Sequence, residues 1–267
     1  MKKVYVFAAV LGLLAMATTF YACKKNASGR SALNLVDDAT LSSMALQEYG
    51  NFLSQNPPVT GTPEALRVQT VSANVIAGVQ QYLADVGQSD KINGFQWEFN
   101  LVNSPEVNAW CMPGGKIVVY SGLLALTESD DELAVVIGHE IAHAVLRHGN
   151  ERMSQELLVQ YGGTALSTLL SSKPAETQQL FNTVYGVGST LGTLSYSRKH
   201  ESESDEAGLY YMAVANYNPN AAVTFWEKMS AQGGGGTFVL LSTHPSDQQR
   251  IEDIQSHLPK AMEYYNQ

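Results

Sequence analysis

The stretch Leu133-Ala134-Val135-Val136-Ile137-Gly138-His139-Glu140-Ile141-Ala142-His143-Ala144-Val145-Leu146 decides how this chain is read. Ser129 followed by Glu132 forms a capping box directly ahead of it, so the stretch is predicted to be a helix with a defined start. Apart from His139, Glu140 and His143, its side chains are apolar or glycine. A helix that is apolar all round belongs in a protein core. Burying a carboxylate and two imidazoles there without partners costs several kcal/mol, so something must compensate them. A metal ion does so. His139 and His143 are four residues apart, on one helical face, and their rings can converge on one ion. Glu140 is displaced around the helix, where it reaches a water on the metal and not the metal itself. His139 and His143 are therefore candidate ligands and Glu140 a candidate general base, with Zn2+ the expected ion.

A third ligand must come from elsewhere. The long metalloprotease motif with a third histidine on the same run needs glycine at 146 and histidine at 149, and the chain has Leu146 and Gly149, which excludes that class. His148 reads as a solvent-facing histidine near the helix C-terminus, where cations are favoured. The remaining candidates cluster between Ser197 and Gly208. Glu201 and Asp205 are four apart and share a helical face. Such a pair can give one carboxylate to the metal and the other to an imidazole N–H. His200 remains a rival ligand, while Glu203 and Glu206 read as solvated.

Outward from this region the chain reads as α+β and mostly helical. Residues 33–55 carry apolar positions at helical spacing and end at Pro57-Pro58. Thr62, Pro63 and Glu64 start a second helix that runs to Val86. Phe95 to Val102 alternates, as a strand with one buried face does. Residues 107–112 and 116–120, around Pro113-Gly114-Gly115, read as a hairpin or as a strand broken by a tight turn. Gly233 to Gly236 is the one low-complexity tract, either a plain linker or a hinge that gates a cleft.

Composition narrows the class further. Of 267 residues, 45% are hydrophobic and 15% charged, and the net charge of -9 argues against nucleic acid as a partner. Met1-Lys2-Lys3 followed by uncharged residues from Val4 to Ala22 reads as a secretory leader, a membrane anchor being the alternative. Residues 1–22 are expected to be a lipoprotein signal, 23–32 a flexible tether, and 33–267 the folded domain. Phe20-Tyr21-Ala22-Cys23 resembles a bacterial lipobox, which makes Cys23 the lipidation site. Cys111 is then a lone thiol, best read as a small core residue.

Four segments in order, NAWCMPGGKIVVYSGLL at 108–124, HEIAH at 139–143, SRKHESESD at 197–205 and THPSDQQRI at 243–251, resemble the M48 family of zinc metallopeptidases. The similarity is to its soluble or lipoprotein bacterial members, related to the BepA, LoiP and Oma1 group, without the C-terminal helical repeats of BepA. The resemblance implies a zincin (gluzincin-type) metallopeptidase domain with one Zn2+, in which Glu201 is the third ligand and Asp205 holds a zinc histidine. It implies that His244 lies near the catalytic water, where it steadies the transition state or caps the metal, and that Arg250 orders the site. It also implies that Gly115, Lys116, Ile117 and Val118 form the sheet edge along the cleft, which could align an extended polypeptide.

The expected activity is that of a zinc metalloendopeptidase acting on unfolded or misassembled proteins. Glu140 serves as base, and His244 with Arg250 stabilises the oxyanion. A chaperone or scaffold that holds zinc structurally is the alternative, and a small-molecule hydrolase a third reading. The expected partners are a polypeptide substrate and a membrane, through the lipid on Cys23. The expected location is the bacterial cell envelope, on the periplasmic face of the outer membrane.

Overall fold

A computed structural model describes residues 23–161, 174–185, 196–232, 238–244 and 248–265. The leader and the Gly233 to Gly236 tract lie outside the described residues. The chain opens with a hairpin, β1 (Cys23–Lys25) against β2 (Ser31–Leu33). Two long helices follow, α1 (Asp38–Gln55) and α2 (Pro63–Asp85). Each starts where a cap dictates: Asp37 accepts from the Thr40 amide at 2.8 Å and Thr62 from the Ala65 amide at 3.1 Å. Next come β3 (Glu98–Val102), β4 (Ala109–Met112), β5 (Lys116–Tyr120) and a short helix, α3 (Ser121–Leu124). The remainder is helical: α4 (Asp130–Val145), α5 (His148–Tyr161), α6 (Pro174–Tyr185), α7 (Arg198–Val214), α8 (Ala221–Ala231), α9 (Val239–Thr243) and α10 (Gln248–Tyr265). The described residues are thus mostly helical, with the hairpin and a small three-stranded sheet, and none of the described helices is long and apolar enough to cross a membrane.

The order in the sheet is β3-β5-β4, with β3 parallel and β4 antiparallel to β5. This corrects the expected edge. Lys116, Ile117 and Val118 lie in the middle strand, Gly115 in the turn before it, and the outer strands are β3 and β4. Burial supplies the reason. Ile117 and Val119 pack with α2 and α4 on one face, while Val118 and Tyr120 pack with Tyr49 and Phe52 of α1 on the other. A strand covered on both faces reads as a continuous apolar run, which Ile117-Val118-Val119 is. The strand expected over 95–102 pairs regularly only from Glu98, Phe95 and Trp97 packing on each other instead.

The segment expected as a tether is ordered by its own turn. The Asn26 side-chain oxygen accepts from the amides of Ser28 and Arg30 at 3.1 and 3.0 Å, and Gly29 takes the left-handed conformation (φ 81°) that closes the turn. Arg30 is then held by carboxylates far along the sequence, which a local reading of a basic run cannot see.

Two helices carry the centre of the molecule. α4 and α7 cross at Gly138 and Gly208, where the backbones touch: a Cβ on Gly208 would lie 2.9 Å from the His139 amide nitrogen. Only glycine permits this approach, and it brings the polar residues of both helices to one point.

Candidate metal centre

Four elements deliver the site. α4 supplies His139, Glu140 and His143, and its first turn is fixed by Ser129, whose Oγ accepts from the Glu132 amide at 3.2 Å. α7 supplies Glu201 and Asp205 after Ser197 caps it through the His200 amide at 3.2 Å. The end of α9 delivers His244, and α10 delivers Arg250.

The structure brings His139, His143, Glu201 and His244 into one buried group, with one donor atom from each within 4.8 Å of all the others. His139 Nε2 lies 3.0 Å from His143 Nε2 and 3.2 Å from His244 Nδ1. The Glu201 oxygens lie 3.4 Å from Nε2 of both His139 and His143, and 3.0 and 3.1 Å from His244 Nδ1. Imidazole nitrogens that face one another in a dry interior present lone pairs to lone pairs, which is stable only around a positive charge. Donors about 2.0 to 2.1 Å from one tetrahedral zinc lie roughly 3.3 Å apart, close to the spacings found. The donor set therefore fits zinc.

Protonation agrees with that fit. Burial pushes His143 well below its ordinary range, to the neutral form that metals bind. Burial alone would raise Glu201, but His244, Arg250 and hydrogen bonds from His139 and His143 outweigh it and hold the carboxyl well below its usual range. Burial also opposes protonation of His139, yet Asp205 and Glu201 push it up to about 9. Such a ring demands a cation, and a metal displaces the proton when it binds. Glu140 stands beside the group and not in it. Its Oε1 is buried without a hydrogen bond, 3.4 Å from His244 Nε2, and burial raises its pKa.

Behind His139, Asp205 Oδ1 accepts from Nδ1 at 2.8 Å. Arg250 grips Asp205 through Nε and Nη2, both at 2.8 Å, and reaches Glu201 Oε2 with Nη1 at 3.0 Å. Its guanidinium lies 3.5 Å over the Trp226 ring. This geometry corrects the expectation that Arg250 stabilises an oxyanion: its planar fork is laid on Asp205, so it positions the carboxylate that positions His139. Trp226, the floor beneath it, had no marker in the sequence beyond being a large apolar residue.

Three further expectations change on the His143 side. His148 is fully buried and its Nδ1 lies 3.0 Å from His143 Nδ1. Arg147 adopts a left-handed backbone (φ 62°) between α4 and α5, which folds His148 back beneath His143. Glu203 is not solvated, since it bonds His148 Nε2 at 3.0 Å. His200 is turned to Glu151 at 3.1 Å and lies outside the donor group, which ends its candidacy as a ligand. Tyr196 was also missed; its ring lies 3.9 Å from that of His143, under Arg152.

A pocket opens beside His143, walled by Leu41, Phe95, Cys111, Ala144, Tyr185 and Tyr196. Cys111 is a buried free thiol whose pKa burial raises well above its ordinary value. β4 lies against α4, and among the described residues no strand pairs with its outer side. The Tyr120 amide bonds the Asn108 carbonyl at 3.1 Å. Antiparallel alternation then turns the backbone groups of Ala109 and Cys111 toward the unpaired side, where both residues are buried.

Residues 72–258 match the model of Peptidase family M48. The mitochondrial metalloendopeptidase OMA1 of Schizosaccharomyces pombe is 36% identical over 185 residues, 68% of this chain and 52% of its own length. Metalloendopeptidase OMA1 of Homo sapiens is 30% identical over 244 residues, 88% of this chain and 45% of its own. The beta-barrel assembly-enhancing protease of Escherichia coli is 28% identical over 165 residues, 60% of this chain and 34% of its own. The chain thus spans about half or less of the length of these relatives. They overturn the expected location: mitochondrial proteins of yeasts, a plant and animals stand among the matches, and the assignment to a bacterial envelope is withdrawn. The buried donor group, its spacing and the match over residues 72–258 together establish that the chain belongs to peptidase family M48, a family of zinc metallopeptidases.

Proposed function

We propose that the chain is a zinc-dependent endopeptidase that hydrolyses peptide bonds in unfolded or misassembled polypeptides. The observation that carries this reading is Glu140 Oε1, a buried carboxylate oxygen without a hydrogen bond of its own beside a four-donor metal group. Such an atom is costly to keep unless chemistry uses it. His139, His143 and Glu201 would hold zinc, which when bound would act as a Lewis acid, polarising the scissile carbonyl and bringing the pKa of water toward neutrality. Glu140 accepts the proton of the attacking water and passes it to the leaving amine. Burial, by raising its pKa, makes it a stronger base than an exposed glutamate. His244, whose Nε2 lies 3.4 Å from Glu140, donates toward the developing oxyanion. The substrate lies extended along the open side of β4, where Ala109 and Cys111 offer backbone hydrogen bonds that ask little of its side chains. The relatives' names, all endopeptidases or proteases, support the reaction class.

Glu140→Gln tests the assignment. The variant should keep its zinc and lose proteolysis of an unfolded protein by about 10²- to 10⁴-fold; undiminished cleavage removes Glu140 from the mechanism.

One observation favours a second reading. His244 completes a closed set of four donors, and structural zinc sites are closed whereas catalytic ones keep an opening. A scaffold with a structural ion and an enzyme capped by His244 share this geometry. His244→Ala separates them: a capped enzyme gains activity on opening, and a scaffold has none in either form.

A further inference from the structure

His143 ends a chain of hydrogen bonds that starts at the N-terminal hairpin. Its Nε2 faces the donor group, so in the neutral ring the proton sits on Nδ1, 3.0 Å from His148 Nδ1. That contact needs one donor and one acceptor. His148 must therefore accept at Nδ1 and carry its own proton on Nε2, which donates to Glu203 Oε2 at 3.0 Å. Glu203 is fixed in turn by Arg30, with Nε to Oε1 at 2.6 Å and Nη2 to Oε2 at 3.2 Å. The other side of the same guanidinium holds Glu151, at 2.8 and 2.6 Å, and Glu151 holds His200. His200 stacks on His148 with ring centres 4.4 Å apart, which keeps the His148 ring from turning. Asn26, which shapes the hairpin turn, also donates to Glu203 at 3.3 Å.

We propose that Arg30, Glu203 and His148 are positioning residues of the metal centre: together they fix the orientation and tautomer of His143, so that Nε2 is the nitrogen offered to zinc. The hairpin is then a structural part of the site, although it lies far from His143 in sequence. The inference rests on the zinc-binding part of the reading above and not on peptide hydrolysis.

The test compares zinc affinity by chelator competition, and the visible spectrum of the cobalt-substituted protein, for the full chain and four variants. Arg30→Gln and His148→Leu should each weaken zinc binding by about 10- to 100-fold, the usual effect of removing a partner of a metal-bound histidine, and should change the cobalt spectrum. His148→Asn, whose amide oxygen can accept from His143 Nδ1–H while its N–H reaches toward Glu203, should recover much of the loss. Arg67→Ala, which removes an equally short ion pair to Asp130 away from the site, should change neither readout. Wild-type zinc affinity and an unchanged cobalt spectrum in Arg30→Gln and His148→Leu would overturn the proposal, whatever their stability. If His148→Leu does not fold, Arg30→Gln decides the matter: wild-type zinc affinity and an unchanged cobalt spectrum in that variant overturn the proposal. A chain that binds zinc and cleaves nothing, as wild type and as His244→Ala alike, would defeat the peptidase reading and leave this inference standing.

Discussion

The two histidines of α4 are held by arms of the same parts and different length. On the short arm, Arg250 grips Asp205 and Asp205 takes the His139 Nδ1–H directly. On the long arm, Arg30 grips Glu203, but His148 stands between that carboxylate and His143. The difference shows in charge. Against the opposing effect of burial, a carboxylate in contact pushes His139 up to about 9, whereas His143, backed by a ring, is left well below its ordinary value. A carboxylate on the N–H makes an imidazole a more basic ligand, so His139 is the electron-richer of the pair. Location differs as well. The short arm runs between α4, α7 and α10 in the main core, with Trp226 beneath it, while the long arm passes out to a peripheral hairpin. One arm should fail together with the fold, the other with the hairpin.

The largest effect follows from breaking the short arm. Asp205→Ala leaves the buried Arg250 guanidinium without its bidentate partner, and Arg250→Ala takes from Asp205 the guanidinium that balances its charge. Each should cost about 3 to 5 kcal/mol in urea unfolding and lower zinc affinity at least as much as any change on the long arm. A smaller effect is expected where the two helices cross. A Cβ at position 208 would meet the His139 amide at 2.9 Å, so Gly208→Ala should force α4 and α7 apart at a cost of about 1 to 3 kcal/mol. Because His139 and Glu201 ride on the separated helices, zinc affinity should fall in the same variant. A Gly208→Ala protein with wild-type stability and zinc binding would show that the crossing does not set the spacing of the ligands.

The residues of the short arm were marked in the sequence, though not the grip of Arg250 on Asp205 that joins them, and those of the long arm were not, for physical reasons. The apolar surroundings of His139, Glu140 and His143 demand compensation, the i,i+4 pair Glu201 and Asp205 shares a face, and the THPSDQQRI motif marks His244 and Arg250. Each of these is a local pattern or a motif. His148 follows a helix end, where a histidine normally meets water, and only the left-handed turn at Arg147 buries it. Arg30 sits in a short polar basic run that reads as solvated until Glu151 and Glu203 are brought to it by folding. The sheet divides in the same way. Alternation and the Pro113-Gly114-Gly115 turn placed the strands. Their order, which makes β5 central and leaves the open side to β4, depends on contacts with α1, α2 and α4 that no local pattern encodes.

The finest distinction between the arms is whether they act independently, and it calls for a double-mutant cycle on zinc binding. Arg30 and His148 belong to one hydrogen-bonded series through Glu203, so once His148→Leu has cut the series, Arg30→Gln has little left to remove. The pair should show a coupling energy of about 0.5 to 3 kcal/mol, as residues within one network do. Arg30 bonds Glu203 and Glu151, whereas Arg250 bonds Asp205 and Glu201, so the two arms join at the donor group. Their losses should add to within about 0.5 kcal/mol. If instead the cross-arm pair couples as strongly as the pair within one arm, His139 and His143 are not set separately. The four donors would then respond as one rigid unit, and the distinction between a short and a long arm would describe the wiring of the site without describing its energetics.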